Sequence, residues 1–138
     1  MLFRSLAEPL DEAGQFRAQA EAIMRAAVTS GAVILGRAGA AAFRDEPGVL
    51  RVRLFGPAAA RIAQAVRFGD VDAATARQRL AEVDRARAQY VRRLYRADIN
   101  DPELFHLHID STVLPLKACA QLIASAYRGL PKSGRAGW

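Results

Sequence analysis

The apolar run at residues 32–35 ends in Gly36 and Arg37, which are residue types suited to holding a phosphate at the end of a strand. A strand that leads through a glycine-rich turn into a helix is the local structure of phosphate-binding loops. The Walker pattern is absent, because no lysine followed by serine or threonine closes the turn. The dinucleotide pattern also fails, since Ala38 and Ala41 replace its second and third glycines. Gly36 and Arg37 are therefore predicted to meet a ligand at a strand end without forming either loop.

A second arginine lies on a helix face that the residue spacing predicts to be buried. When residues 73–95 are placed about 100° apart, Arg87 falls in the middle of an apolar sector. That sector consists of Leu80, Val83, Tyr90, Val91 and Leu94. A guanidinium on an apolar face needs a partner. That partner is either Asp84, three residues earlier, or a phosphate bound in a cleft. We favour the phosphate, and the ion pair with Asp84 is the alternative. The opposite, solvated stripe consists of Arg85, Arg92 and Arg96.

His106 and His108 alternate along a predicted strand and therefore share one of its faces. A zinc site would require a third and a fourth ligand, and Cys119 is the only other cysteine or histidine in the chain. Cys119 lies in an apolar, helix-like segment and is interpreted as a small core residue. These residues therefore predict no metal site.

Helices and strands alternate along the chain, which predicts the α/β class, with a parallel sheet and flanking helices. The predicted helices span residues 11–30, 57–68, 73–95 and 115–128, and the predicted strands span residues 32–35, 49–56 and 105–110. Ligands of such sheets bind beyond the carboxyl ends of the strands. Gly36 with Arg37, Gly56 with Pro57, and residues 110–112 occupy these ends. Ordinary turn and capping chemistry is the alternative for residues 110–112.

The length of 138 residues predicts one domain over residues 1–130, followed by a flexible tail at residues 131–138. A hydrophobic fraction of 51% excludes a disordered chain, and no segment has the features of a signal peptide or a membrane span, so we expect a cytoplasmic protein. The net charge of +6, carried mostly by arginine, fits a phosphate-bearing partner, and compositional bias is the other explanation. Nucleic acid is not favoured, because no aromatic residues are interleaved with the arginines.

Four segments resemble, in order and spacing, the later portion of the cytidylate kinase-like family, whose members are relatives of the nucleoside monophosphate kinases. The segments are VILGRAGA, LRVRLFGP, RLAEVDRARAQYVRRLY and INDPELFHLHIDSTVLPLKACAQLI. The resemblance implies a fold related to the P-loop NTPases and phosphoryl transfer from ATP to CMP or a similar monophosphate, with magnesium. By the same resemblance, Gly36, Arg37 and Arg85 would bind the acceptor nucleotide. Asp84 and Arg87 would act in catalysis by closing over the phosphates.

The sequence departs from this family at two places. In the cytidylate kinases an aspartate follows the Gly-Arg pair, whereas Ala38 follows it here, so the base preference stays open. The family's phosphate-binding loop lies upstream of the segment like VILGR, and no glycine-rich loop precedes Ser30 in this chain. We therefore expect an N-terminally incomplete domain, arising from a truncated gene model or a shortened paralogue. The residues present do not themselves support ATP or magnesium binding.

The expected function follows from that departure. We expect a cytidylate kinase-like chain that does not catalyse phosphoryl transfer alone. A non-catalytic nucleotide-binding or regulatory module and an arginine-rich nucleic-acid binder are the alternatives. The missing neighbour of the strand at residues 32–35 would expose one edge of the sheet. The expected consequences are a homodimer through this edge, closure of the gap by pairing with the strand at residues 49–56, or aggregation.

Overall fold

The computed structural model of the chain describes residues 8–131. Its elements are α1 (Glu8–Val28), α2 (Gly39–Ala42), β1 (Val52–Phe55), α3 (Ala58–Gly69), α4 (Ala73–Tyr95), β2 (Leu107–Asp110) and α5 (Leu116–Arg128), with a 3₁₀ turn at Pro102–Leu104. This is a small parallel sheet flanked by helices, which confirms the α/β class. The predicted tail lies outside the described residues except for residue 131.

Strands β1 and β2 pair in parallel, with Val52 opposite Leu107 and Phe55 opposite Asp110. Two backbone hydrogen bonds extend the pairing beyond the strands. His106 N–H donates to the Arg51 carbonyl at 2.8 Å, and Ser111 N–H donates to the Phe55 carbonyl at 3.0 Å. Parallel strands need a long crossover connection, and α3 and α4 provide it here. The predicted pairing of parallel strands is therefore confirmed for these two segments.

The helix boundaries follow the capping residues that the sequence contains. Asp72 accepts a hydrogen bond from the Thr75 N–H at 2.7 Å and begins α4. Pro57 and Pro115 precede α3 and α5, where their fixed φ angle suits the entry into a helix. Gly129 follows the last residue of α5. The predicted helix boundaries are therefore confirmed to within a few residues.

The prediction of a strand at residues 32–35 is wrong. The segment forms no ladder, and none of its backbone groups is hydrogen-bonded to another residue between 8 and 131. Val33 is 92% exposed and Leu35 is 87% exposed. The physical reason is that apolar composition favours a strand only where a second strand accepts its hydrogen bonds. The described residues place no such strand beside it, and β1 pairs with β2 instead, so the expected closure of the gap by pairing with β1 does not occur.

Helix α4 is the centre of the packing, since α1, α2 and α3 all contact it. The buried hydrophobic residues are Met24, Ala38, Phe43, Ala76, Val91, Leu104, Ile109 and Cys119. Ile109 belongs to β2 and Val91 to α4, so the sheet and the long helix each contribute to the core. Cys119 is buried and free, as its interpretation as a core residue predicted. Within the described part of the chain, no helix is both long and apolar enough to span a membrane.

Candidate anion-binding site

An ion pair between α3 and α4 is the starting point of the candidate site. Arg61 Nη1 and Nη2 donate to the two carboxylate oxygens of Asp84 at 2.7 and 2.8 Å. This forked geometry is the strong form of the arginine–carboxylate contact. The side chain of Asp84 is still 46% exposed and that of Arg61 27%, so the pair adds at most about 1 kcal/mol to stability. Asp84 therefore pairs with Arg61, and the alternative in which it pairs with Arg87 is wrong.

Arg87 lies one turn after Asp84 on α4 and is exposed, whereas the helix spacing predicted a buried position. The short turn at residues 70–72 makes α3 and α4 antiparallel neighbours, and Arg61 marks where Asp84 meets α3. Because α3 begins only three residues before Arg61, the first residue of α3 lies level with Arg87. The helix therefore does not extend far enough to cover the Arg87 side chain. Arg87 makes no hydrogen bond or ion pair with any residue that the structure describes.

A third guanidinium belongs to the same group. Arg53 projects from β1 and donates to the Ile99 carbonyl at 3.2 Å and to Asn100 Oδ1 at 3.0 Å. Its guanidinium also lies 5.9 Å from the centre of the Phe105 ring. These partners are neutral, so they hold the side chain in place without cancelling its charge. We refer to Arg53, Arg61, Asp84 and Arg87 as the arginine site.

The electrostatics of the arginine site are those of one carboxylate among three cations. The hydrogen bonds from Arg61 lower the pKa of Asp84, partial burial opposes this, and the charges of Arg61, Arg87 and Arg53 lower it further. The same hydrogen bonds raise the pKa of Arg61. At neutral pH the site therefore carries one negative charge and three positive charges. That excess attracts an anion with two charges, such as a phosphate monoester.

The beginning of α3 adds to this positive field. Pro57 stands at its N-cap, and no side chain caps the first backbone N–H groups of the helix. Uncapped N–H groups and the helix dipole together favour a bound anion at a helix N-terminus. Arg61 lies in the second turn of the same helix.

The structure places Gly36 and Arg37 on a turn whose backbone is left-handed. Gly36, Arg37 and Ala38 have φ angles of 66°, 56° and 53°. The left-handed conformation costs about 1–2 kcal/mol for each residue with a side chain, and such backbone strain clusters at functional sites. Arg37 is exposed and makes no hydrogen bond or ion pair within residues 8–131. The segment therefore presents a free guanidinium, although it does not follow a paired strand.

Arg85 is exposed and lies on a different side of α4 from the arginine site. Successive residues of a helix are about 100° apart, so Arg85 points about 100° away from Asp84 and about 160° away from Arg87. The structure therefore brings Asp84 and Arg87 together and leaves Arg85 apart from them.

The carboxyl ends of β1 and β2 meet, but their polar groups bind one another. Asp110 Oδ1 accepts hydrogen bonds from Thr112 N–H at 2.8 Å and from Thr112 Oγ1 at 2.5 Å, and these bonds lower the pKa of Asp110. A Cβ atom on Gly56 would overlap with Thr112 Cγ2, so a larger residue there requires Thr112 to shift. Gln64 Nε2 donates to the Ser111 carbonyl at 3.0 Å and ties α3 to this turn. Turn chemistry accounts for this group of residues.

The histidines bind the protein itself. His106 Nδ1 accepts the Arg51 N–H at 3.1 Å, and His108 Nε2 lies 3.1 Å from the Pro102 carbonyl. Among the described residues there is no group of three histidine, cysteine or acidic side chains that could hold a metal ion. The carboxylates of Asp84 and Asp110 already accept hydrogen bonds from protein donors. The described residues therefore do not fit a magnesium site.

Arg53 and Arg61 were not recognised as site residues from the sequence. Arg53 alternates with apolar residues in LRVRLFG, which marks it only as a residue on the outer face of a strand. Arg61 is a lone arginine near the start of an alanine-rich helix. Neither pattern shows that Arg61 bonds to Asp84, 23 residues further along the chain, or that the charge of Arg53 acts on the same carboxylate.

An α/β fold with a cationic site and an uncapped helix N-terminus is a combination typical of proteins that bind phosphate groups. The model of the cytidylate kinase-like family matches residues 2–113. Because the match covers most of the chain, this protein belongs to the cytidylate kinase-like family. Family membership implies a nucleotide kinase-like function and a nucleotide as the substrate. No curated protein and no solved structure matches the chain.

Proposed function

We propose that this chain binds the phosphate of a CMP-like nucleoside monophosphate at the arginine site. The observation that carries the proposal is the excess of three guanidinium groups over one carboxylate, one of them on α3, whose N-terminus has no side-chain cap among the described residues. Family membership supports a nucleotide as the ligand. The bound phosphate would supply the negative charge that the described protein groups leave uncompensated.

Each residue of the site has a distinct part in this proposal. Arg87 is free to bind the phosphate directly, because none of the described residues is bonded to it. Asp84 holds the guanidinium of Arg61 in a fixed orientation by a forked hydrogen bond. Arg53 contributes charge from a side chain held by neutral acceptors. Asp84 also repels an incoming anion, so it orients Arg61 and weakens binding at once.

Arg37 is proposed as a second contact to the same nucleotide. Its guanidinium has no partner among residues 8–131, and the left-handed turn at Gly36 and Arg37 is the type of strained backbone that accompanies binding sites. Loss of this contact in Arg37→Ala should weaken monophosphate binding by about 1.5–3 kcal/mol, the scale of one charge-assisted hydrogen bond.

Phosphoryl transfer from ATP to the bound monophosphate is the reaction that membership of the family suggests. In that reaction Arg61 and Arg87 would stabilise the charge on the transferred group, since enzymes of this type act mainly by positioning and charge stabilisation. The relation to the P-loop NTPases belongs to this proposal. The roles of Arg61 and Arg87 in this reaction do not depend on a metal ion.

Titration calorimetry with CMP tests the binding proposal, with cytidine as the ligand that lacks the phosphate. We expect CMP to bind and cytidine to bind at least tenfold more weakly. Arg87→Met should lower CMP affinity by ten- to a hundredfold and leave the melting temperature unchanged, because Arg87 supports no described contact. Asp84→Asn should raise CMP affinity several-fold, because it removes the only negative charge of the site. Arg128→Met, an exposed and unpaired arginine on α5, is the control and should change neither property.

Two results would contradict the proposal. Equal affinity for cytidine and CMP would show that the phosphate is not recognised. Unchanged CMP affinity in a folded Arg87→Met protein, together with a loss in Arg128→Met, would place the site elsewhere on the surface.

A further inference from the structure

Helix α4 carries a second group of arginines on the side that faces away from the arginine site. Its members are Arg85, Arg92, Arg93 and Arg96, and all four are exposed. At about 100° per residue the positions of Arg85, Arg92 and Arg93 around the helix axis fall within about 100° of one another, and Arg96 is the C-cap residue that follows the helix. We call these four residues the outer arginine stripe. The side chains of α4 that contact α3 and α1 include Asp84, Tyr90 and Tyr95, which lie outside this arc.

The stripe is unpaired. None of its four side chains makes a hydrogen bond or ion pair with a residue in the range 8–131. Other arginines of the chain do have protein partners: Arg17 donates to the Leu94 carbonyl at 3.2 Å and Arg51 to the Arg44 carbonyl at 2.7 Å. The one carboxylate of the same helix side, Glu82, already accepts a hydrogen bond from Gln78 at 3.0 Å. The stripe is therefore a concentration of charge that the described fold does not use.

Stabilisation of the helix end does not account for the whole stripe. Cations in the last turn of a helix interact favourably with its dipole, and this applies to Arg92 and Arg93. Arg85 precedes the end of α4 at Tyr95 by ten residues, and the dipole effect falls off within the last turn. Arg85 therefore extends the charge well beyond the region in which it would help the helix.

The length and composition of the stripe indicate the kind of partner. From Arg85 to Arg96 the helix rises about 16 Å, and one strand of a duplex carries a phosphate about every 3.4 Å, so about five phosphates lie within that length. The residues between the arginines on this side are alanines and Gln89. The lack of an aromatic side chain there disfavours stacking on single-stranded bases. The lack of large apolar side chains disfavours insertion into a lipid surface.

We propose that the outer arginine stripe binds the phosphate backbone of a double-stranded nucleic acid without reading its sequence. The arginines donate to phosphate oxygens and displace condensed counterions, which makes the affinity dependent on salt. This surface is separate from the arginine site, so the duplex and the monophosphate bind independently. The proposal therefore does not depend on the proposed nucleotide function.

Fluorescence anisotropy with labelled 20-base-pair duplexes of DNA and of RNA tests the proposal between 50 and 200 mM salt. Four released counterions predict a slope of log affinity against log salt of about −3.6. The double variant Arg92→Gln/Arg93→Gln should reduce the steepness of this slope by about two and should leave CMP binding unchanged. Arg77→Gln is the matched control, because Arg77 is an exposed, unpaired arginine of α4 that lies outside the stripe. It should leave the slope close to that of the wild type.

A measurement without substitutions complements the variants. Phenylglyoxal modifies accessible guanidinium groups, so mass spectrometry can report which arginines a bound duplex protects. We expect protection of Arg85, Arg92, Arg93 and Arg96 and no protection of Arg77. Preferential binding of the DNA or of the RNA duplex would show which phosphate backbone the stripe binds, and either result supports the proposal.

Several results would overturn the proposal. One is an absence of duplex binding at 50 mM salt. Another is a slope that the double variant does not change. A third is tighter binding to single-stranded oligonucleotides than to duplexes of the same length. The last is binding to vesicles containing anionic lipid that an excess of duplex does not compete away.

Discussion

Strand β1 pairs with a second strand and residues 32–35 do not, although composition favours residues 32–35 as the strand. Residues 32–35 read Ala-Val-Ile-Leu, whereas β1 includes Arg53 and is flanked by Arg51. Composition alone would place the first segment at the centre of a sheet. In the structure that segment is unpaired and exposed, and the charged segment forms the ladder with β2.

The difference lies in the partners of each segment. The backbone of β1 pairs with β2 from Val52 to Phe55. Its arginines have acceptors as well: Arg51 Nε donates to the Leu104 carbonyl at 2.7 Å, and Arg53 bonds to the loop at residues 99–100. Residues 32–35 have no comparable acceptors among the described residues. A strand is therefore a property of a pair of segments, and apolar composition in one of them is not sufficient.

The largest expected contrast is in amide hydrogen exchange. The amides of Val33 and Leu35 should exchange at close to the rate of an unstructured peptide. The amides of His106 and Ser111, which donate to β1, should open with a free energy of several kcal/mol, up to that of global unfolding. Exchange measured by NMR at each residue checks this. Strong protection at Val33 and Leu35, together with a dimer in sedimentation, would instead show that a second copy pairs with the segment.

The next contrast is in side-chain truncation. Ile109 of β2 is only 3% exposed, so Ile109→Ala should lower the free energy of unfolding by about 2–5 kcal/mol. Val33 is 92% exposed, so Val33→Ala should change it by less than about 0.5 kcal/mol. Urea unfolding of both variants checks the pair of values. A cost of 2 kcal/mol or more for Val33→Ala would mean that residues 32–35 are buried in solution.

A smaller contrast in stability is expected between substitutions of Gly56, which follows β1, and of Gly36, which follows residues 32–35. Gly56→Ala should cost about 1–3 kcal/mol, because the added Cβ would overlap with Thr112 Cγ2. Thr112→Ser removes that methyl group and should recover part of the loss in the double variant. Gly36→Ala should cost about 1 kcal/mol through its left-handed backbone, and the same Thr112→Ser change should recover none of it. Thermal melts of the wild type, the three single variants and the two double variants decide between steric overlap and backbone strain.

The smallest expected effect is the pH dependence of the unfolding free energy through His106, which bonds to the residue just before β1. Burial and then the charge of Arg51 lower the pKa of His106, whose neutral Nδ1 accepts the Arg51 N–H. Because the folded state lowers the pKa of His106, its contribution to the unfolding free energy is fully present above the unfolded-state pKa of about 6.5. That contribution is lost as pH falls from this value through the lower pKa of the folded state. Unfolding free energy should therefore fall between pH 7.5 and 5.0 by less than about 1 kcal/mol from this group. His106→Asn should lack this part of the pH dependence, whereas Val33→Ala should retain it.

Local chemistry explains which elements could be predicted. Asp72 caps α4, Pro57 and Pro115 precede helices, and Gly129 follows α5; each acts through the residues next to it in the chain. The alternation in FHLHID likewise predicts β2. These predictions succeed because the signal and its effect lie within a few residues of each other.

The candidate site could be predicted only in part, because its members come from three elements. The helix spacing places Asp84 and Arg87 on neighbouring faces of α4, which the structure confirms. It also predicts that Arg87 is buried, which is wrong because α3 begins level with it and does not cover it. Arg61 and Arg53 join the site only through the packing of α3 and β1 around α4.

The α/β class, the helix boundaries and the arginine-rich composition follow from residue type and local spacing, and the resemblance of four segments indicates the family. The tertiary structure decided which cations are neutralised and which stay free. Arg61 meets Asp84 because two antiparallel helices pack at that level, and Arg87 stays free because one of them begins there. Tertiary packing also decided that residues 32–35 are not a strand, because a ladder requires a second segment at hydrogen-bonding distance and local composition cannot supply one.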